Sequence, residues 1–204
     1  MAHRTGLTKS EQREQTMRSL ISISRELFAE AGFANVSMEE IVGRAGVTRG
    51  ALYHHFGSKE GLFQAVLDDV QADVAGKVDR AASRHAHLWD QLIEGCRAFL
   101  EASTEPSVQR ILLVDAPAVL GWNAWRDSDA ANSGRLLEEL LAALIDQGIV
   151  KPLSASALTH LLSGAMNELA IWITQSGDQA AALDQAQAAL LEVLTSLKTK
   201  GHAS

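Results

Sequence analysis

The stretch Val36-Ser-Met-Glu-Glu-Ile-Val-Gly-Arg-Ala-Gly-Val-Thr-Arg-Gly-Ala-Leu-Tyr-His-His-Phe-Gly-Ser-Lys-Glu-Gly-Leu-Phe63 decides how this chain folds. It reads as two short helices joined by a tight turn, with a third helix starting directly after them. Ser37 stands as the N-cap of the first helix, and Glu40, three residues on, is placed to complete a capping box. Ile41 and Val42 form its apolar side. Ala45-Gly46-Val47 makes the corner, where Gly46 can take the positive φ that a sharp turn needs. Thr48 caps the second helix, whose exposed start is Thr48, Arg49, Gly50 and Ala51. Small, polar and basic groups thus stand where a helix-turn-helix meets a major groove.

Three pieces of this stretch resemble one family: Ser37-Met-Glu-Glu-Ile, Ala45-Gly-Val-Thr-Arg-Gly-Ala-Leu-Tyr-His-His-Phe and Gly57-Ser-Lys-Glu-Gly-Leu-Phe. Together they are similar to the DNA-binding domain of tetracycline-repressor-like (TetR) transcriptional regulators. A bare helix-turn-helix pattern is common; an aromatic-rich second helix followed by Phe-Gly-Ser-Lys-Glu is specific. The resemblance implies an all-α chain of about nine helices. Three would form a DNA-binding head over residues 1–60, and six a ligand-binding and dimerisation body over residues 61–204.

The charge balance agrees with such a division. The chain carries 18 Lys/Arg against 25 Asp/Glu, a net −7. Residues 1–60 hold 8 Lys/Arg and 7 Asp/Glu, a net +1, so the acidity belongs to residues 61–204. Phosphate binding follows local charge, and an acidic body keeps itself off DNA while the head engages it. No segment approaches the roughly 20 uninterrupted apolar residues of a membrane span. The N-terminal Met-Ala-His-Arg-Thr-Gly-Leu-Thr-Lys has no apolar run of the kind a secretory signal needs. With Cys96 as the one cysteine, an intrachain disulfide is impossible, and the reading is a soluble protein of a reducing cytoplasm.

Working outward, residues 9–31 keep Met17, Leu20, Ile21, Leu27, Phe28 and Ala31 on one helical face, with Gly32 as the stop. Beyond Ser58, helical spacing continues through Phe63, Val66, Leu67, Val70, Val74, Val78 and Ala81 to about residue 84. That helix is long enough to run from head to body. Further helices are expected over 87–103, 107–115, 118–147, 154–175 and 178–199. Asp127-Ser-Asp-Ala-Ala-Asn-Ser-Gly134 stands as an interruption within the third of these.

In the head, Arg49 is placed to pair with guanine O6 and N7, while Thr48, Gly50 and Ala51 allow close backbone approach. The resemblance puts Tyr53 and His54 at phosphate or the groove wall; Phe56 belongs to the core. His54 and His55 diverge by one residue's rotation and do not form a metal site. Lys59, just inside a helix N-terminus, suits a phosphate. Ser37 serves as a cap, a phosphate contact, or both. Arg44 adds a backbone contact, and Arg4 is either minor-groove arm or plain leader.

In the body, two stripes are readable: Leu158, Leu161, Leu162, Ala165, Met166, Leu169, Ile173, and Leu183, Ala186, Leu190, Leu191, Leu194, Leu197. With Ser163 and Gly164 they suit either a helix-on-helix dimer interface or the core of one subunit. The central helices are expected to line a mostly apolar pocket for a small-molecule effector. Candidates are Trp89, Cys96, Phe99, Leu112, Trp122, Trp125, Met166 and Trp172, with Asp115 and Asn167 as polar groups that need partners. Neither a nucleophile elbow nor a phosphate or dinucleotide loop is present, so no catalytic set, cofactor or metal is expected. Cys96 reads as a small core residue and His85 and His87 as solvated. The expected function is a homodimeric, ligand-responsive transcriptional repressor that binds a near-palindromic operator. The alternative is a helical small-molecule binder whose head contacts protein.

Overall fold

The computed structural model describes residues 8–199, which excludes Arg4. Nine helices follow one another among the described residues. α1 is Lys9–Ala31, α2 Met38–Ala45, α3 Arg49–Phe56, α4 Lys59–Ala82 and α5 Leu88–Ser103. α6 runs over 106–119, α7 over 122–146, α8 is Ala155–Gln175 and α9 is Gln179–Ser196. The extended component is a single antiparallel bridge between Val150 and Lys198. No helix among the described residues is long and apolar enough to cross a membrane.

Side-chain caps set most helix starts in the head. Thr8 and Glu11 make a reciprocal capping box at α1. At α2 only half of the expected box is present: Ser37 Oγ accepts from the Glu40 N–H at 3.1 Å, and the return bond from Glu40 is not formed. Thr48 accepts from Ala51 at 3.2 Å and Ser58 from Gly61 at 3.0 Å. Each cap satisfies a backbone donor that the first turn leaves open. Gly46 takes the left-handed conformation, φ 65°, at the corner between α2 and α3.

Leu20, Leu27 and Phe28 of α1, Ile41 of α2, Leu52 of α3 and Leu62 and Phe63 of α4 are buried together as the head's core. Phe28, Phe33 and Phe63 form a ring cluster with centroids 5.0–5.7 Å apart. α4 then continues into the body through Val66, Val70 and Val74. The expected boundary at 60/61 falls in its first turn, so head and body share a helix.

Two departures from the expected helices have local causes. The expected helix over 107–115 does not end there, although Pro117 lacks the N–H to continue it. Residues Arg110–Asp115 widen into a π-turn, in which the Ala116 N–H reaches back to Ile111, and the chain passes Pro117 before breaking at Gly121, φ 85°. The polar run 127–134 does not break α7; it forms a second π-turn, Ala130–Gly134. At Gly134 a Cβ would stand 3.2 Å from the Asp129 carbonyl oxygen, closer than an ordinary contact.

Candidate functional site

The outer face of the helix-turn-helix carries the residues expected to read DNA. Ser37, Arg44, Thr48, Arg49, Gly50, Tyr53 and His54 are all exposed, and Ala51 is half-buried. Arg49 is engaged in the free chain: its guanidinium pairs with Glu39 at 2.7 Å, touches the Tyr53 hydroxyl at 3.3 Å and lies 5.4 Å from the Tyr53 ring centre. These partners hold the charged form of Arg49, Tyr53 foremost and then Glu39. An exposed ion pair of this kind is weak and exchanges readily for a better-placed acceptor. Arg44 pairs loosely with Glu26 at 3.5 Å.

Gly50 is informative because nothing in the protein requires it. A Cβ there would meet only Thr48 Oγ1, at 4.0 Å. Glycine inside a helix costs about 1 kcal/mol relative to alanine. The space it leaves lies on the outer face, next to Arg49.

Lys59, at the start of α4, has partners within the free chain. Its ammonium donates to the Phe33 carbonyl oxygen and sits 4.2 Å from the centre of the Phe33 ring. In the free chain it ties the start of α4 to the turn after α1 and does not project toward a partner. Asp115 departs from the expected role. Its carboxylate accepts the Phe33 N–H at 2.8 Å, which makes it a bond between body and head, outside the pocket wall.

The body holds a cavity of about 310 Å³. Val78, Asp79 and Ala82 of α4 form one side, Leu92, Cys96 and Phe99 of α5 a second, and α7 and α8 close it. Cys96, Phe99 and Met166 line it as expected. The other candidates do not. Leu112 and Trp125 are buried core residues, and the Trp125 ring packs on Trp122, which is itself 64% exposed. Trp172 is exposed on the outer side of α8, and Trp89 carries the Lys198 ammonium 4.4 Å from its ring centre. Asn167 lies behind the wall.

What composition and periodicity missed is the cavity's polar end. Asp129 is buried at 3% exposure, and Ser163 Oγ donates to its Oδ2 at 2.7 Å. Arg126 Nη1 stands 3.4 Å from the same oxygen and 3.2 Å from Ser163 Oγ. Burial holds the Asp129 carboxyl above the ordinary range, while Ser163, Arg126 and the neighbouring Asn167 pull it partly back. Ser163, expected as a small residue for helix contact, is thus an inward-facing partner of Asp129. A visible signal was Asp129 and Ser133, four residues apart and so on one helical face.

Cys96 is almost wholly buried in the same wall, and burial pushes its thiol up to about 12. Thiolate is the reactive form. Native protein at pH 8 is therefore expected to resist alkylation by iodoacetamide and to label promptly in denaturant. Fast native labelling would show that the α4–α5 wall opens.

Outside the cavity, the α8 and α9 stripes split. Leu158, Leu162, Met166, Ile173, Ala186, Leu190 and Leu194 face inward as this subunit's core. Leu161, Gly164, Ala165 and Trp172 of α8 and Leu191 and Val193 of α9 are exposed. No group of acidic, histidine or cysteine side chains suited to a metal occurs among the described residues.

A helix-turn-helix head on a helical body with an internal cavity defines a ligand-responsive DNA-binding regulator. Residues 20–66 match the description "Bacterial regulatory proteins, tetR family", and residues 89–197 match "Tetracyclin repressor-like, C-terminal domain". The chain belongs to the TetR family of transcriptional regulators. A TetR-family regulator from Pectobacterium atrosepticum, known from its crystal structure, is 38% identical with a TM-score of 0.83, over 95% of this chain and 99% of that one. The TetC protein of transposon Tn10 from Escherichia coli is 27% identical over 162 residues, 78% of this chain and 80% of its own. RolR, solved in complex with resorcinol, shares the fold at 22% identity and a TM-score of 0.71, over 91% of this chain and 90% of its own.

Proposed function

We propose that this regulator acts as a repressor: a homodimer that binds a near-palindromic operator and is released by a small, largely apolar effector. Residues 1–60 serve as the DNA-binding unit and 61–204 as the effector and dimerisation unit. The observation that carries the DNA-reading surface is the pairing of an exposed Arg49 with the unfilled space at Gly50. Thr48, Gly50 and Ala51 let the backbone approach, Arg49 exchanges Glu39 for a base edge, and Tyr53, His54, Ser37 and Arg44 meet the backbone. Turnover has no place in this reading, and family membership disfavours a head that only contacts protein.

Dimerisation through the exposed faces of α8 and α9 is supported by Leu161, Trp172, Leu191 and Val193, large apolar side chains left uncovered on neighbouring helices. Two-fold pairing would set the recognition helices about 34–36 Å apart, one turn of B-DNA. An effector coupling of about 1–3 kcal/mol would weaken operator binding from several-fold to about a hundredfold. RolR, solved in complex with resorcinol, supplies a precedent for a small ligand bound by a protein of this fold.

The test is selection of random duplex DNA at near-physiological salt, followed by sequencing. An inverted repeat is expected. Arg49→Ala is then expected to weaken the selected site roughly tenfold and relax preference at one position per half-site. Unchanged preference in that variant would remove Arg49 from base reading, and no enrichment by folded protein would remove the operator reading itself.

A further inference from the structure

We infer that the cavity is built for a neutral, mostly apolar molecule that carries a hydroxyl group, an alcohol or a phenol. The inference rests on the effector reading above and adds the chemistry of the ligand's polar end. Most of the wall is apolar: Leu88, Leu92, Phe99, Leu137, Leu140 and Met166. Asp79, Ser83, Gln91 and Glu139 are polar lining residues, and Asp129, Ser133 and Ser163 come together from α7 and α8 as a polar cluster.

One feature of that place points to a ligand. The Ser133 hydroxyl is buried in the cavity wall with no hydrogen-bond partner in the protein. Orphaned buried polar groups are rare and ask for an occupant. Asp129, meanwhile, takes both its Ser163 bond and its Arg126 contact on Oδ2. Asn167 is the other neighbour of this carboxylate, and Oδ1 is the oxygen assigned to a ligand's donor.

The charge pattern selects among head groups. Asp79, Asp129 and Glu139 all line the cavity, and no lysine, arginine or histidine does. A carboxylate ligand would therefore enter a low-dielectric space beside carboxylates with no counter-charge. An ammonium would stand next to Arg126, which already compensates Asp129, and would leave the Ser133 hydroxyl without an acceptor for its proton. A ketone offers Asp129 no proton. A hydroxyl donates to Asp129 and accepts from Ser133 at once, and adds no charge. The volume of about 310 Å³ fits a one- or two-ring compound.

The experiment screens fragments of equal size, sorted by head group into hydroxyl, carboxylate, ammonium and plain hydrocarbon, by ligand-observed NMR on the full chain. Ala143→Phe, which fills the cavity from α7, identifies hits that bind elsewhere. Hydroxyl-bearing hits that Ala143→Phe abolishes are the expected result. Asp129→Asn and Ser133→Ala should each weaken them, the former by about tenfold, as loss of a charge-assisted hydrogen bond implies. Hydrocarbon hits should be unaffected in both variants, which also shows that the cavity has survived the change. Hits dominated by carboxylates or ammoniums, hits indifferent to the head group, or no cavity hits at all would overturn the inference. Operator release is read separately. Hydroxyl ligands that bind without releasing DNA would keep the head-group assignment and remove the effector reading.

Discussion

Gly61→Ala is expected to destabilise the protein by about 3 kcal/mol and to abolish operator binding at physiological temperature. Gly61 sits in the first turn of α4, where alanine would ordinarily gain about 1 kcal/mol in helix propensity. Here the sign reverses. A Cβ at Gly61 would stand 2.1 Å from the Phe56 carbonyl oxygen and 3.2 Å from its carbon. Those atoms are backbone, the last turn of the recognition helix, and cannot rotate out of the way. Relief requires α3 to shift against α4, which breaks the Ser58 cap on the Gly61 N–H and moves Arg49 with the helix. Gly43→Ala in α2 is the matched control. Its Cβ would meet nothing within 4 Å, so it should be neutral or stabilising by up to about 1 kcal/mol. Denaturant unfolding of the two variants decides the matter. A Gly61→Ala protein as stable as the Gly43→Ala one would show that α3 is not locked onto α4.

This contact also shows why the head was more legible than the body. Caps, corners and the exposed start of α3 depend on residues within four positions of one another, so Ser37, Gly46, Thr48 and Ser58 could be placed from order alone. Even there, the free-chain partner of Lys59 could not be read, because Phe33 lies 26 residues earlier. The body depends on pairings between distant segments. Asp129 meets Ser163 across 34 positions, and sequence shows only a polar run in a helix that ought to be apolar. That run reads as an interruption; in the fold it is a cavity wall, widened by a π-turn. The tryptophans misled for a related reason. A large aromatic serves equally as core, surface or pocket, and Trp125, Trp122 and Trp89 each take a different role. Likewise the α8 and α9 stripes were too broad for a single face, since inward and outward apolar positions alternate along the same helices.

Asp115→Ala is expected to loosen the joint between body and head and so to blunt any effector response. The long helix α4 is the obvious link between the two, yet the bonds converge on the turn after α1. Asp115, in the π-turn of α6, accepts the Phe33 N–H, and Lys59, at the start of α4, donates to the Phe33 carbonyl. Arg110, from the same π-turn, donates to the Glu30 carbonyl at 3.2 Å and packs on Gly32 so closely that a Cβ there would clash with its guanidinium. One residue, Phe33, is thus held by the body through its N–H and by the first residue of α4 through its carbonyl. α6 packs against both α1 and α4, so a shift of α6 pulls on this turn directly. Removing the Asp115 carboxylate leaves a part-buried N–H without its acceptor, a loss of about 1–3 kcal/mol. That is as large as the coupling an effector would supply. Hydrogen exchange at the Phe33 amide should accelerate about tenfold or more, since each 1.4 kcal/mol is a factor of ten. Operator release by a cavity ligand should weaken in parallel, while ligand affinity itself stays close to wild type. Asp115→Asn, which keeps an acceptor oxygen, should recover most of both effects. If the alanine variant releases its operator as fully as wild type, the signal runs along α4 alone and the Asp115–Phe33 bond serves only to hold the turn.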